Sequence, residues 1–89
     1  MNGSSEELAP ESIAPDAVLD VSGEVCPMTF VRTRLRLDGM APGQVLEVRF
    51  RGAEAALNLP RSLRELGQEM LAEGVGAEPG AGWLRVRKR

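Results

Sequence analysis

The segment Gln44 to Arg51 places the strongest condition on how this chain can fold. Leu46, Val48 and Phe50 alternate with Glu47, Arg49 and Arg51, and the two-residue repeat of a strand sends the first set to one face and the second to the other. A strand that is apolar on one side and charged on the other belongs to a sheet covered on that one side. Trp83 to Arg87 repeats the pattern, with Leu84 and Val86 facing one way and Trp83, Arg85 and Arg87 the other. Whatever helices the chain forms must pack on a single face.

The sequence supplies two such helices. Pro27 to about Met40 carries two competing apolar stripes, Phe30, Thr33, Leu37 and Met40 on one side and Met28, Val31 and Leu35 on nearly the opposite side. The first stripe continues to Met40 and holds the bulkiest residue, so it is expected to face the sheet. That leaves Met28, Val31 and Leu35 partly exposed and rimmed by Arg32, Arg34 and Arg36, unless the helix is buried more broadly with the strip under the N-terminal tail. The second helix, Ala53 to Leu66, runs through Ala56, Leu59, Leu63 and Leu66. Pro60 lacks an N–H and disfavours helix at Leu59, so a kink or restart is expected there. Gly67 is its stop signal.

Three further segments complete the order. Ala17 to Ser22 reads as a short strand, Met70 to Val75 as a weak one, and Glu78 to Gly82 as the hairpin before the last strand. The Pro42-Gly43 pair turns the chain between the first helix and the Gln44 strand. The result is a two-layer α/β sandwich of order β-α-β-α-β-β, a four-stranded mixed sheet with two helices on one face. Residues 1–16 show no sustained period and read as a disordered acidic tail, leaving residues 17–89 as one domain.

Charge is divided along the chain. The net charge is −2, yet residues 1–24 hold Glu6, Glu7, Glu11, Asp16, Asp20 and Glu24 without a single base, and all 11 Lys and Arg follow. With Phe30, Phe50 and Trp83 the only aromatics, base stacking is poorly supported and direct nucleic-acid binding is not expected. One cysteine and no histidine exclude an internal disulfide, a Cys-X-X-Cys redox pair and the usual zinc sets, so no metal and no cofactor are expected. No apolar run reaches the length of a membrane span. A reduced cytoplasmic setting, no membrane contact and a monomer are the expectations.

The chemistry concentrates at Gly23-Glu24-Val25-Cys26-Pro27-Met28, where a strand gives way to a helix. A lone cysteine is more often a small buried hydrophobe than a nucleophile. Here, however, Pro27 at the first turn of a helix would place early N–H groups near Cys26, and their partial positive charge favours a thiolate.

With Leu19-Asp20, Gly23, Cys26-Pro27, Pro42-Gly43, Leu46-Glu47-Val48, Pro60, Gly67, Glu69 and Val86-Arg87-Lys88 in place, the chain resembles the TusA-like, or SirA-like, sulfur-carrier family from about Leu19 to Lys88. The resemblance implies a sheet of four strands under two helices. It also implies that Cys26 accepts a sulfane sulfur as a persulfide from a cysteine desulfurase or similar donor, then passes it to an acceptor protein. Thiolation of tRNA, sulfur trafficking and sulfur oxidation are the family's settings. Pro27 would shape the helix start that supports the thiol. Two departures stand out: Thr29 replaces a common second proline, and Gly52-Ala53 replaces an Asp-Pro pair. Cys26-Pro27-Met28-Thr29 looks like a subgroup with Met and a polar residue after the proline. These departures bear on the docking partner and on the tRNA pathway, while the thiol is kept.

Met28, Val31, Arg32, Leu35, Arg36 and Arg61 are the candidate partner-docking residues, although solvated arginines would look the same. Trp83 marks either an interface or an edge packed against the tail. The competing functional class is a non-catalytic interaction or regulatory module that keeps the fold and binds through the same strip.

Overall fold

The computed structural model describes residues 14–89, and most of the expected acidic tail lies outside the described residues. The elements are β1 (Ala17–Asp20), α1 (Met28–Asp38), β2 (Val45–Arg51), α2 (Ala53–Glu65), β3 (Glu69–Val75) and β4 (Ala81–Arg87). Asp16 donates its N–H to the Val45 carbonyl at 2.8 Å and accepts the Val45 N–H on Oδ2 at 2.7 Å, which fixes the start of β1 beside β2.

The sheet runs β1-β2-β4-β3, an order that periodicity could not give. β1 is parallel to β2, β4 is antiparallel to both its neighbours, and β2 and β3 therefore run the same way. Both crossovers, β1-α1-β2 and β2-α2-β3, step in the same direction across the sheet. Right-handed connections then put α1 and α2 on the same face. There Leu37, Leu59 and Leu63 meet Leu46, Val48, Phe50, Leu84 and Val86 in one buried cluster, with Val21 closing one end. Each leucine so buried contributes about 1.5–3 kcal/mol through loss of apolar surface to water.

Three local readings change. In α1 the buried side is Thr29, Thr33 and Leu37, with Phe30 and Met40 half-buried against the core. Thr33 is accommodated because its hydroxyl donates to the Thr29 carbonyl at 2.7 Å. The second helix neither stops nor restarts at Pro60, and it buries Ala55, Leu59, Pro60 and Leu63, while Ala56 is exposed. Proline removes one hydrogen bond of the helix, and its burial offsets that loss. The helix then ends at Gly67, whose φ of 95° suits glycine. Gly67 N–H bonds the Arg64 carbonyl at 3.0 Å and Gln68 N–H the Leu63 carbonyl at 3.1 Å, a Schellman closure.

β3 starts at Glu69 and carries an irregularity between Met70 and Ala72, so its alternation is broken by one extra residue. This explains why the strand reads weakly in sequence. Across from it, a Cβ on Gly74 would lie 2.8 Å from the Trp83 ring and one on Gly82 only 2.6 Å from Phe50. Those glycines let the two aromatic rings lie flat on neighbouring strands, Trp83 on the face away from the helices and Phe50 in the core. On the Trp83 face Glu47 is 6% exposed, bonded by Arg49 Nε at 2.8 Å and Arg85 Nε at 2.9 Å. Arg85 also sits over the Trp83 ring, 5.3 Å from its centroid.

Candidate functional site

The chain leaves β1 through a series of short turns that end at the thiol. Val21 extends the β1–β2 ladder by donating to the Arg49 carbonyl at 2.8 Å, and Glu24 N–H returns to the Val21 carbonyl at 3.0 Å. Asp20 Oδ1 accepts the Ser22 N–H at 2.9 Å. Hydrogen bonds from Ser22, side chain and backbone, hold the Asp20 carboxyl below its ordinary range. A second turn follows at once: Met28 N–H donates to the Val25 carbonyl at 2.7 Å, with Cys26 and Pro27 as the central pair and a cis peptide between them. Cys26 is a free thiol exposed to solvent.

The helix begins one residue later than the sequence suggests. Met28 is its first residue and Pro27 the cap, and no side chain caps the first turn. α2 likewise starts at a Gly52 cap without a side-chain bond. Because β1 and β2 are parallel, the N-termini of both helices stand at the same end of the sheet as Cys26. Both helix starts therefore present backbone N–H groups without a side-chain cap at that end. The 76–80 hairpin lies at this end as well, tied to β2 by Gly52 N–H to the Gly80 carbonyl at 2.8 Å and by an Arg51–Glu78 ion pair.

The outward side of α1 carries the expected strip. At about 100° per residue, Met28, Val31 and Leu35 cluster on the side opposite Thr33. All three are exposed, Leu35 by 66%, and Val25 beside the thiol is exposed by 77%. The structure therefore joins Cys26, Pro27, Met28, Val31 and Leu35 in one continuous surface, with Arg36 on its flank. Arg32 shares that flank, and its Nη1 is bonded to Glu24 Oε2 at 2.9 Å. Arg61 stands apart: it is on α2 and reaches Asn58 of its own helix at 3.4 Å. Glu24 is the site residue that sequence reasoning missed. Its spacing of eight from Arg32, across a turn, follows no helical pairing rule, so only the folded turn brings them together.

An exposed thiol at a helix start, on a small α/β sandwich with an apolar strip beside it, defines a thiol-presenting domain. Comparison with known proteins agrees with that class. The family model described as "Sulfurtransferase TusA" matches residues 17–88, and the chain belongs to the TusA family. It is 43% identical over 65 residues to a "Putative sulfur carrier protein" of Archaeoglobus fulgidus, covering 72% of this chain and 74% of that one. A protein of the same description from Thermotoga maritima is 37% identical over 70 residues, covering 78% of this chain and 89% of that one. The crystal structure of a SirA-like protein from Desulfitobacterium hafniense has the same fold, with a TM-score of 0.68 at 19% identity over 80% of this chain and 95% of that chain.

Proposed function

We propose that this protein is a sulfur carrier that holds sulfane sulfur as a persulfide on Cys26. The observation that carries the reading is the solvent-exposed Cys26 in a tight turn at the uncapped start of α1. The thiolate of Cys26 attacks the outer sulfur of a donor persulfide. A new S–S bond forms at Cys26, the donor's own S–S bond breaks, and its electron pair leaves on the donor thiolate. The outer sulfur keeps its proton, and no external oxidant or reductant enters. Release to an acceptor is the same exchange in reverse sense.

A cysteine desulfurase, or another protein that presents sulfane sulfur, fits the donor's part. A second protein in tRNA thiolation, sulfur trafficking or sulfur oxidation fits the acceptor's. The Cys-Pro-Met-Thr start and Gly52-Ala53 depart from the common family pattern, and the second of these bears on the docking partner and so on the tRNA pathway in particular. Met28, Val31 and Leu35 form the apolar contact beside the thiol, and Arg36 rims it. Such a relay belongs in a reducing compartment such as the cytoplasm, and no described helix is long and apolar enough to cross a membrane.

An adaptor that only binds through the strip is the competing reading. Cys26→Ser in the full chain separates the two: a carrier loses all sulfur transfer and keeps its partner affinity. Undiminished transfer in that variant overturns the relay.

A further inference from the structure

We infer that Glu24 and Arg32 act together as positioning residues for Cys26, with Arg32 serving the protein's own turn and not a partner's surface. This inference rests on the carrier reading for its importance, though not for its test. Glu24 lies two residues before the thiol and Arg32 in the second turn of the helix that follows it, so their 2.9 Å ion pair closes a loop of chain around Cys26. Among the described residues the pair is the only side-chain bond between the 21–27 turn and α1. Within the turn itself the bonds are Ser22 N–H to Asp20 Oδ1, Glu24 N–H to the Val21 carbonyl and Met28 N–H to the Val25 carbonyl.

The pair also accounts for the Arg32 guanidinium. Arg32 has its charge taken up inside the chain. Arg36, with no such carboxylate among the described residues, is left to face a partner.

The test is a double-mutant cycle in the full chain with Glu24→Gln, Arg32→Gln, both together, and the exchanged pair Glu24→Arg with Arg32→Glu. Alkylation of Cys26 by iodoacetamide reads thiol presentation without any partner, and sulfur loading from a cysteine desulfurase is measured beside it. Breaking one shared bond predicts that both single variants change the alkylation rate in the same direction by about two- to fivefold, the range of an exposed ion pair. The double variant goes no further, and the exchanged pair returns most of the rate. Opposite shifts in the two single variants, multiplicative effects or no change in either would overturn the inference. So would a loss confined to desulfurase loading in Arg32→Gln, since that marks a docking cation. Failure of the carrier reading is visible separately, as a native protein that never gains sulfur while the alkylation cycle still shows coupling.

Discussion

Glu47→Gln tests the energetics of the sheet face that the helices leave open. Burial raises the Glu47 carboxyl, but the hydrogen bonds and charges of Arg49 and Arg85 outweigh it and hold the group below its ordinary value. The Arg49 side chain is 59% exposed, so that arm contributes about 0–1 kcal/mol. The Arg85 side chain is 20% exposed and its bond to a nearly buried carboxylate is worth about 1.5–3 kcal/mol. Glutamine keeps one acceptor oxygen and Arg85 keeps its place over Trp83, which limits the net loss to about 1–3 kcal/mol. For a domain of this size that is a fall in Tm of about 5–15 °C. The pH dependence has a fixed sign. A carboxylate whose folded pKa is lowered contributes stability above its unfolded value, and that contribution disappears as pH falls through the folded pKa. Thermal unfolding followed by circular dichroism should therefore show the full gap between native and Glu47→Gln at pH 7 and a shrinking gap at about pH 3. Equal Tm values at pH 7, or a gap that persists undiminished in acid, would refute the assigned ion pairs.

Other substitutions probe packing and docking separately. Gly82→Ala sets a Cβ against the Phe50 ring at 2.6 Å and should cost about 1–3 kcal/mol, read as a lower denaturant midpoint with an unchanged slope. Leu63→Ala opens a cavity at a fully buried site and should cost about 2–5 kcal/mol in the same assay. Leu35→Asp changes an exposed residue, so Tm should stay within about 2 °C while the KM for sulfur loading from a donor protein rises roughly fivefold or more. A large drop in Tm with unchanged KM would instead place Leu35 in the core.

Much of this molecule is legible from periodicity, and its failures have local causes. β2 and β4 are readable because one face is apolar and the other charged. The exposed strip of Met28, Val31 and Leu35 is readable because a helix facing one sheet can bury only one of two opposed stripes. Strand order depends on pairing partners, which alternation does not encode. At Pro60 the helix runs on where a restart is one expectation, with the proline buried; Thr33 lies in the expected core stripe, its hydroxyl satisfied by the Thr29 carbonyl, whereas the buried Thr29 lies outside that stripe. In β3 the extra residue near Leu71 shifts the phase of the pattern. At the site, Cys26 and the helix behind it follow from the Cys-Pro pair, whereas the Glu24–Arg32 contact arises only after the turn closes.

Intact-protein mass spectrometry tests sulfur carriage most directly. The native chain and Cys26→Ser are incubated with a cysteine desulfurase and cysteine, and a portion of each is then reduced. A carrier gains the mass of one sulfur atom, loses it on reduction, and shows no gain in the serine variant. If neither desulfurases nor a chemical sulfane donor ever adds sulfur to Cys26 in the folded protein, persulfide carriage is contradicted.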